Sequence, residues 1–170
     1  YGDPVLHKDT SSIPENSAAL QKLIDDMIET MRHAEGAGLA APQIGKSLRI
    51  FVADLSGALS ELPEDERPRI PRQPMVCINP EMVFSSQEKE EFEEGCLSIP
   101  KLPITLKRPN RVKLRYQDRN FKPKELEVTG RLASVLQHEN DHLDGILHID
   151  YLPPFKKKVV EARLNQIKKG

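Results

Sequence analysis

The chain reads as a single α+β domain, residues 1–170, with helical stretches and intervening strands. Three observations predict this class. Apolar residues recur at three- and four-residue steps in two stretches near the ends of the chain. Short runs rich in β-branched and aromatic residues, separated by prolines and polar turns, fill the region between them. A third helical pattern, from 130 onward, follows the last of those runs. A length of 170 residues is enough for one core and short for two.

Taken in order, Tyr1–Pro14 is polar and turn-rich and reads as an extended arm rather than a helix. From Asn16 or Ser17, both suitable N-caps, the series Leu20, Leu23, Ile24, Met27, Ile28, Met31 predicts an amphipathic helix ending near Glu35. The following Gly-Ala-Gly-Leu-Ala-Ala-Pro-Gln-Ile-Gly, residues 36–45, is barred from a regular helix by Pro42 and Gly45, and its small residues permit close backbone approach. Leu48–Asp54 reads as a strand. Ser56–Pro74 holds four prolines among many charges and reads as an exposed loop without a packing role. Met75–Asn79 is a strand that Pro80 ends, Val83–Phe92 a further strand, and Glu94–Pro100 an irregular segment. In Thr105–Tyr116, Val112, Leu114 and Tyr116 alternate with Lys113 and Arg115, a half-buried strand. Leu126 and Val128 form its hairpin partner after the polar turn 117–120. Phe155–Lys169 is a terminal helix with one apolar face among many lysines.

Composition excludes several functions. Lys plus Arg number 25 against 26 Asp plus Glu, so net charge steers the chain neither to DNA nor to an acidic surface. The two cysteines, Cys77 and Cys96, are too few for a disulfide framework and suit a reducing compartment. No apolar run approaches the roughly 18 residues that span a bilayer, and no secretory segment is read at the start, so cytoplasm is the expected compartment and no membrane contact is expected.

Chemistry concentrates in Leu136–Gly145, where His138 and His142 stand four residues apart with Glu139 between them. On a helix, at about 100° per residue, both imidazoles project from neighbouring turns of one side, where one ion takes both. Leu132, Val135, Leu136, Leu143, Ile146 and Leu147 fall on one stripe of the same wheel, and Glu139 falls inside it, while Gln137, Asn140 and Asp144 point toward solvent. A carboxylate in a buried stripe costs several kcal/mol unless something compensates it. A metal and a water would do so, and His-Glu-x-x-His is the two-ligand core of many metallohydrolases, with the Glu as general base. The competing reading is a surface helix with ordinary charges, which the phase of Glu139 opposes. Two histidines need further ligands, and His148 falls on another part of the wheel. Cys96 is the better candidate, because Gly95 before it and Leu-Ser-Ile-Pro after it make a tight segment able to turn a thiolate inward. A buried structural cysteine is the alternative, and it is the reading for Cys77.

Three stretches, GAGLAAPQ at 36–43, EGCLS at 94–98 and QHENDH at 137–142, resemble the three signature motifs of peptide deformylases in order and separation. The likeness extends to Asp3–Leu6 and to the KRP around Arg108, and so covers essentially the whole chain; it implies an α+β fold with antiparallel strands around a central metal-binding helix. The resemblance implies a Cys/His/His site for one divalent ion, commonly Fe(II), with Zn, Ni or Co acceptable in its place. It implies hydrolysis of the N-formyl group from the formyl-methionine of newly made polypeptides. Carried over by position, Cys96, His138 and His142 would be the ligands and Glu139 the general base. The Gln43 amide and the Leu97 backbone N–H would stabilise the oxyanion. Gly38 and Glu94 would contact the peptide backbone, and Ala37, Arg131, Ser134 and Val135 would border the methionine pocket. Ala37 and Arg131 stand where the family often has larger or plainly aliphatic residues. Arg108 is expected either to pair with Glu94 or Asp141 or to be a solvated strand arginine. The likeness further makes 56–74 an insertion; the lysines of the terminal helix read as a solvated face on a packed helix, with transient ribosome contact as the alternative. Two rivals are a zincin-type peptidase, opposed by Cys96 in its motif, and a metal-binding protein without catalysis, opposed by Glu139 and Gln43.

Overall fold

The computed structural model describes residues 1–170. Helix α1 (Ala18–His33) starts where the Ser17 hydroxyl accepts the Leu20 N–H at 3.0 Å, so Ser17 rather than Asn16 is the cap. It buries Leu20, Ile24, Met27 and Met31, the predicted stripe. Strands β1 (Gly38–Ala40), β2 (Ile50–Ala53), β3 (Met75–Ser85), β6 (Arg111–Gln117) and β7 (Pro123–Thr129) form an antiparallel sheet in the order β1-β2-β3-β6-β7. Strands β4 (Lys89–Cys96) and β5 (Ile99–Pro109) make a separate antiparallel ribbon. Helix α2 (Gly130–Leu143) carries the two histidines, and α3 (Pro154–Lys169) closes the chain.

Period-two alternation sorts the sheet's side chains into two cores. Ile50, Val52, Val76 and Ile78 pack with Ile24, Met27 and Met31 of α1. Their neighbours Phe51, Ala53 and Cys77 pack on the other face with Leu132, Ala133, Leu136 and Leu143 of α2. A third cluster joins Cys96, Ile99, Ile104 and Leu106 of the ribbon to Leu147, Ile149 and Leu164. Helix α2 is therefore held between the large sheet and the ribbon, which is what gives Glu139 a buried position. No helix is long and apolar enough to cross a membrane.

Several expectations are corrected. Strand β3 continues through Pro80 to Ser85, because the ladder to β6 breaks register between Ile78 and Glu81 and the proline falls where no donor is needed. Val83–Phe92 is not one strand; it leaves β3, turns, and enters β4. Thr105–Tyr116 is likewise divided between β5 and β6 at Asn110, and the irregular 94–100 segment is the tight end of the β4–β5 ribbon. The N-terminal arm contains a 3₁₀ turn, Pro4–His7, that buries Leu6. The 56–74 loop does pack: Leu62 is buried, and Ala58, Leu59 and Ile70 lie against the core beside α2. Helix α2 stops at Leu143, so Ile146 and Leu147 are not on its wheel, and Gln137 and Asn140 are buried rather than solvated. Gln137 donates Nε2 to the Pro109 carbonyl at the end of β5 at 2.9 Å, so the ribbon covers a side of α2 that an isolated wheel assigns to water. Helix α3 buries Leu164, with Val160 and Ile167 beside it, and leaves Phe155 and Val159 largely exposed.

Candidate metal centre

The ligand atoms of Cys96, His138 and His142 all lie within 4.8 Å of one another. Cys96 arrives from the end of β4, where a bulge between Glu94 and Cys96 re-aims the strand just before it turns into β5. The two histidines come from successive turns of α2, their rings edge to face at 4.9 Å between centroids. Cys96 Sγ stands 3.5 Å from His142 Nε2. His138 turns Nδ1 to Glu94 Oε1 at 2.9 Å, so Nε2 is the nitrogen it could offer to an ion.

The donor set suits a divalent ion. Burial drives the His142 imidazole down to about 3, so it is neutral and has a lone pair to give. His138 behaves oppositely: burial would lower it, but hydrogen bonds to Cys96 and Glu94 hold it up to about 10. The surrounding anions thus favour a cation at this point, be it a proton or a metal. A thiolate and two imidazoles, with Glu139 Oε2 buried and without a hydrogen-bond partner, match a catalytic ion with an open position.

Burial also pushes the Glu139 carboxyl up to about 7, against the pull of His138. Room for it depends on Gly38, since a Cβ there would lie 2.6 Å from Glu139 Oε1. Gln43 sits in the 3₁₀ turn Ala41–Ile44 after β1. Its Oε1 accepts the Ala40 N–H at 2.9 Å, so Nε2 is the end that faces the ribbon, donating to Ser98 Oγ at 3.2 Å with Cys96 Sγ at 3.9 Å. Ser98 as the partner of Gln43 had no signal in the sequence beyond its place in the EGCLS stretch.

Behind the ligands lies a buried charge network. Arg108 donates Nε and Nη2 to the two Glu94 oxygens, and Nη1 to Asp141 Oδ2 at 2.9 Å. Both partners anticipated for Arg108 are therefore engaged, and it is not solvated. Burial opposes ionisation of Glu94, but the Arg108 and His138 hydrogen bonds win and hold it at about 2. Ser134 Oγ donates to the same carboxylate at 3.2 Å. The Glu94 side chain is therefore fully engaged by Arg108, His138 and Ser134.

Ala37, Gly38, Gln43, Glu94, Cys96, Leu97, Arg131, Ser134, Val135, His138 and Glu139 line one cleft of about 530 Å³. Every candidate residue except His142 borders it, and His142 lies behind, fully enclosed. Arg131 stands at the margin, donating Nη1 to the Glu93 carbonyl at 2.9 Å with its guanidinium 5.4 Å from the Phe92 ring centre.

A single-ion hydrolase centre at the bottom of a cleft, on an α+β scaffold, is the class that this geometry defines. Comparison with known proteins makes it specific. The polypeptide deformylase family matches residues 1–158. A peptide deformylase of Salinibacter ruber is 50% identical over 170 residues, covering 100% of this chain and 87% of that protein. A crystal structure of a peptide deformylase from Legionella pneumophila, 40% identical, superposes with a TM-score of 0.84 over 98% of this chain and 91% of the other. One from Ehrlichia chaffeensis in complex with actinonin, 34% identical, gives 0.85 over 99% and 94%. The chain belongs to the peptide deformylase family, metal-dependent hydrolases that remove the N-formyl group from nascent peptides.

Proposed function

We propose that Cys96, His138 and His142 hold the catalytic ion, that Glu139 is the general base and acid, and that Gln43 and Leu97 stabilise the oxyanion. The observation that carries this reading is the convergence of the three ligand atoms within 4.8 Å, with an unpartnered, buried Glu139 oxygen beside them. When bound, the ion supplies a lowered pKa for a water and polarisation of the formyl oxygen. Glu139, held near neutrality by burial, takes the proton of the attacking water and later hands it to the departing amine. The Gln43 amide, fixed by Ala40 and Ser98, and the Leu97 backbone N–H donate to the oxygen as charge develops on it. Water adds to the formyl carbon, the C–N bond breaks, and formate and a free N-terminal amine leave.

The peptide lies beside Gly38 and the Glu94 backbone as an added strand, with the methionine side chain toward Ala37, Ser134 and Val135 and Arg131 at the rim. Fe(II) is the resident ion in this reading, with Zn, Ni or Co able to replace it, because a soft thiolate beside two imidazoles accepts each of them. The enzyme acts in the cytoplasm as a single domain, with 56–74 an insertion, on newly made chains with at most transient ribosome contact and without binding DNA.

Anaerobically prepared protein should release formate from formyl-Met-Ala-Ser and leave acetyl-Met-Ala-Ser and internal peptide bonds intact; Met–Ala cleavage would favour a peptidase. Glu139→Ala should retain metal and lose about two to four orders of magnitude in turnover. Near-full activity in that variant would overturn the assignment of the base.

A further inference from the structure

Tyr151 lies outside the cleft, in the 3₁₀ turn His148–Tyr151 between α2 and α3, with 49% of its surface exposed. Its surroundings are nevertheless continuous with the metal centre. The hydroxyl donates to Asp141 Oδ2 at 2.8 Å, the oxygen that also accepts Arg108 Nη1 at 2.9 Å. The ring lies against the same guanidinium, with Arg108 Cζ 5.0 Å from its centre. Arg108, only 4% exposed, spends its remaining fork on Glu94, whose Oε1 meets His138 Nδ1 at 2.9 Å. Four contacts thus join a surface phenol to a ligand imidazole.

We propose that Tyr151 is a positioning residue for the metal centre, holding His138 in its ligating orientation through Asp141, Arg108 and Glu94. The inference rests on the ligand assignment above. The physical reason lies in the geometry of the fork. A guanidinium that faces two carboxylates in different directions can rotate toward either one. A ring on its face and a shared acceptor at its end fix the plane that serves Glu94. The ring also keeps water off the guanidinium, and a desolvated ion pair holds Glu94 more firmly than a wet one. Glu94 in turn selects the His138 tautomer that offers Nε2 to the ion. Partners of this kind are worth about 10- to 100-fold in metal affinity when removed.

The test uses the cobalt-loaded enzyme and the rate at which a chelator strips the ion, read from its visible absorption. Tyr151→Leu, which removes both ring and hydroxyl, should lose cobalt about 10-fold faster than the parent. Tyr151→Phe keeps the ring and should fall between the two. KM for a formyl peptide should stay within about two-fold of the parent in both variants, because Ala37, Gly38 and Val135, which border the peptide and its methionine, lie outside the relay. Stripping of Tyr151→Leu at the parent's rate overturns the proposal. So does faster stripping with a matching rise in KM, which marks a general loosening of the fold. The ligand set is judged separately, by the thiolate-to-cobalt absorption of the parent and its loss in Cys96→Ser. Absence of that band in the parent sinks the ligand assignment and not the relay alone.

Discussion

Gly38 and Glu139 show how closely one position limits another. The glycine's place in GAGLAAPQ suggests backbone contact with a peptide, yet the structure adds a second demand, since a methyl group there would lie 2.6 Å from the Glu139 carboxylate oxygen. Gly38→Ala should therefore turn Glu139 away from the ion while leaving the three ligands in place. With Glu139 as the proposed general base, activity should fall by at least about 100-fold, with bound metal, measured by atomic absorption, still near one per chain. Metal loss in that variant would show that crowding reaches the ligands instead. Gly145 is restricted in a similar way. Its φ is +73°, and a Cβ would meet the His7 carbonyl carbon at 2.8 Å, so the end of α2 and the N-terminal arm can close together only on glycine.

Between α2 and the β4–β5 ribbon, the decisive contact is ionic. Arg108 projects from β5, Glu94 from β4 and Asp141 from α2, all from buried or nearly buried positions. Replacing Arg108 by Met removes the cation that Glu94 and Asp141 share and leaves them only the His138, Ser134 and Tyr151 hydrogen bonds. Unfolding of the metal-free protein in denaturant should show a loss of about 3–5 kcal/mol; a loss under about 1 kcal/mol would mean that water reaches the carboxylates freely. The ribbon is also where local pattern says least about the fold. Alternation in 105–116 is genuine on both sides of Asn110, but period two cannot report that a chain leaves one sheet and enters another, because the pattern of each strand is the same. Pro80 misled for a related reason: a proline ends a strand only where its N–H would be needed, and the β3–β6 register break removes that need.

For the molecule as a whole, buried histidines set the response to acid. Burial depresses His148 to about 4 and His142 to about 3, each aided by the charge on His138; His148 makes no hydrogen bond of normal geometry, although the nearby Leu102 backbone opposes part of the shift. Unfolded, both titrate near 6.5. Between about pH 6.5 and 4 the unfolded chain binds more protons than the folded one. Their contribution is thus fully present above pH 6.5 and is lost as pH falls. His138 has the opposite sign: held up to about 10 when folded, it contributes stability below pH 6.5 that is lost as pH rises through 10. In the metal-free protein His148→Leu should remove part of the acid slope, on the order of 2 kcal/mol at pH 4.5. Melting temperatures of parent and variant at pH 7.5 and 4.5 check it, and an unchanged difference between the two pH values would refute it.

Local pattern determined a good deal about this protein. The stripe of α1, the two-histidine spacing of α2, the alternation of β6 with its β7 partner and the turn chemistry around Gly36–Gly45 are all properties of neighbouring residues, and the sequence carries them directly. The Cys96, His138 and His142 group was readable because the two stretches that carry it, 94–98 and 137–142, each keep a recognisable local form. Tertiary structure alone decided what those stretches meet. The burial of Gln137 and Asn140, the packing of Leu62 beneath the core, the double pairing of Arg108 and its contact with Tyr151 depend on residues far apart in the chain. A helical wheel distinguishes an apolar face from a polar one, but it does not record that a second sheet lies against the polar face, and here that second sheet brings Cys96 to the histidines.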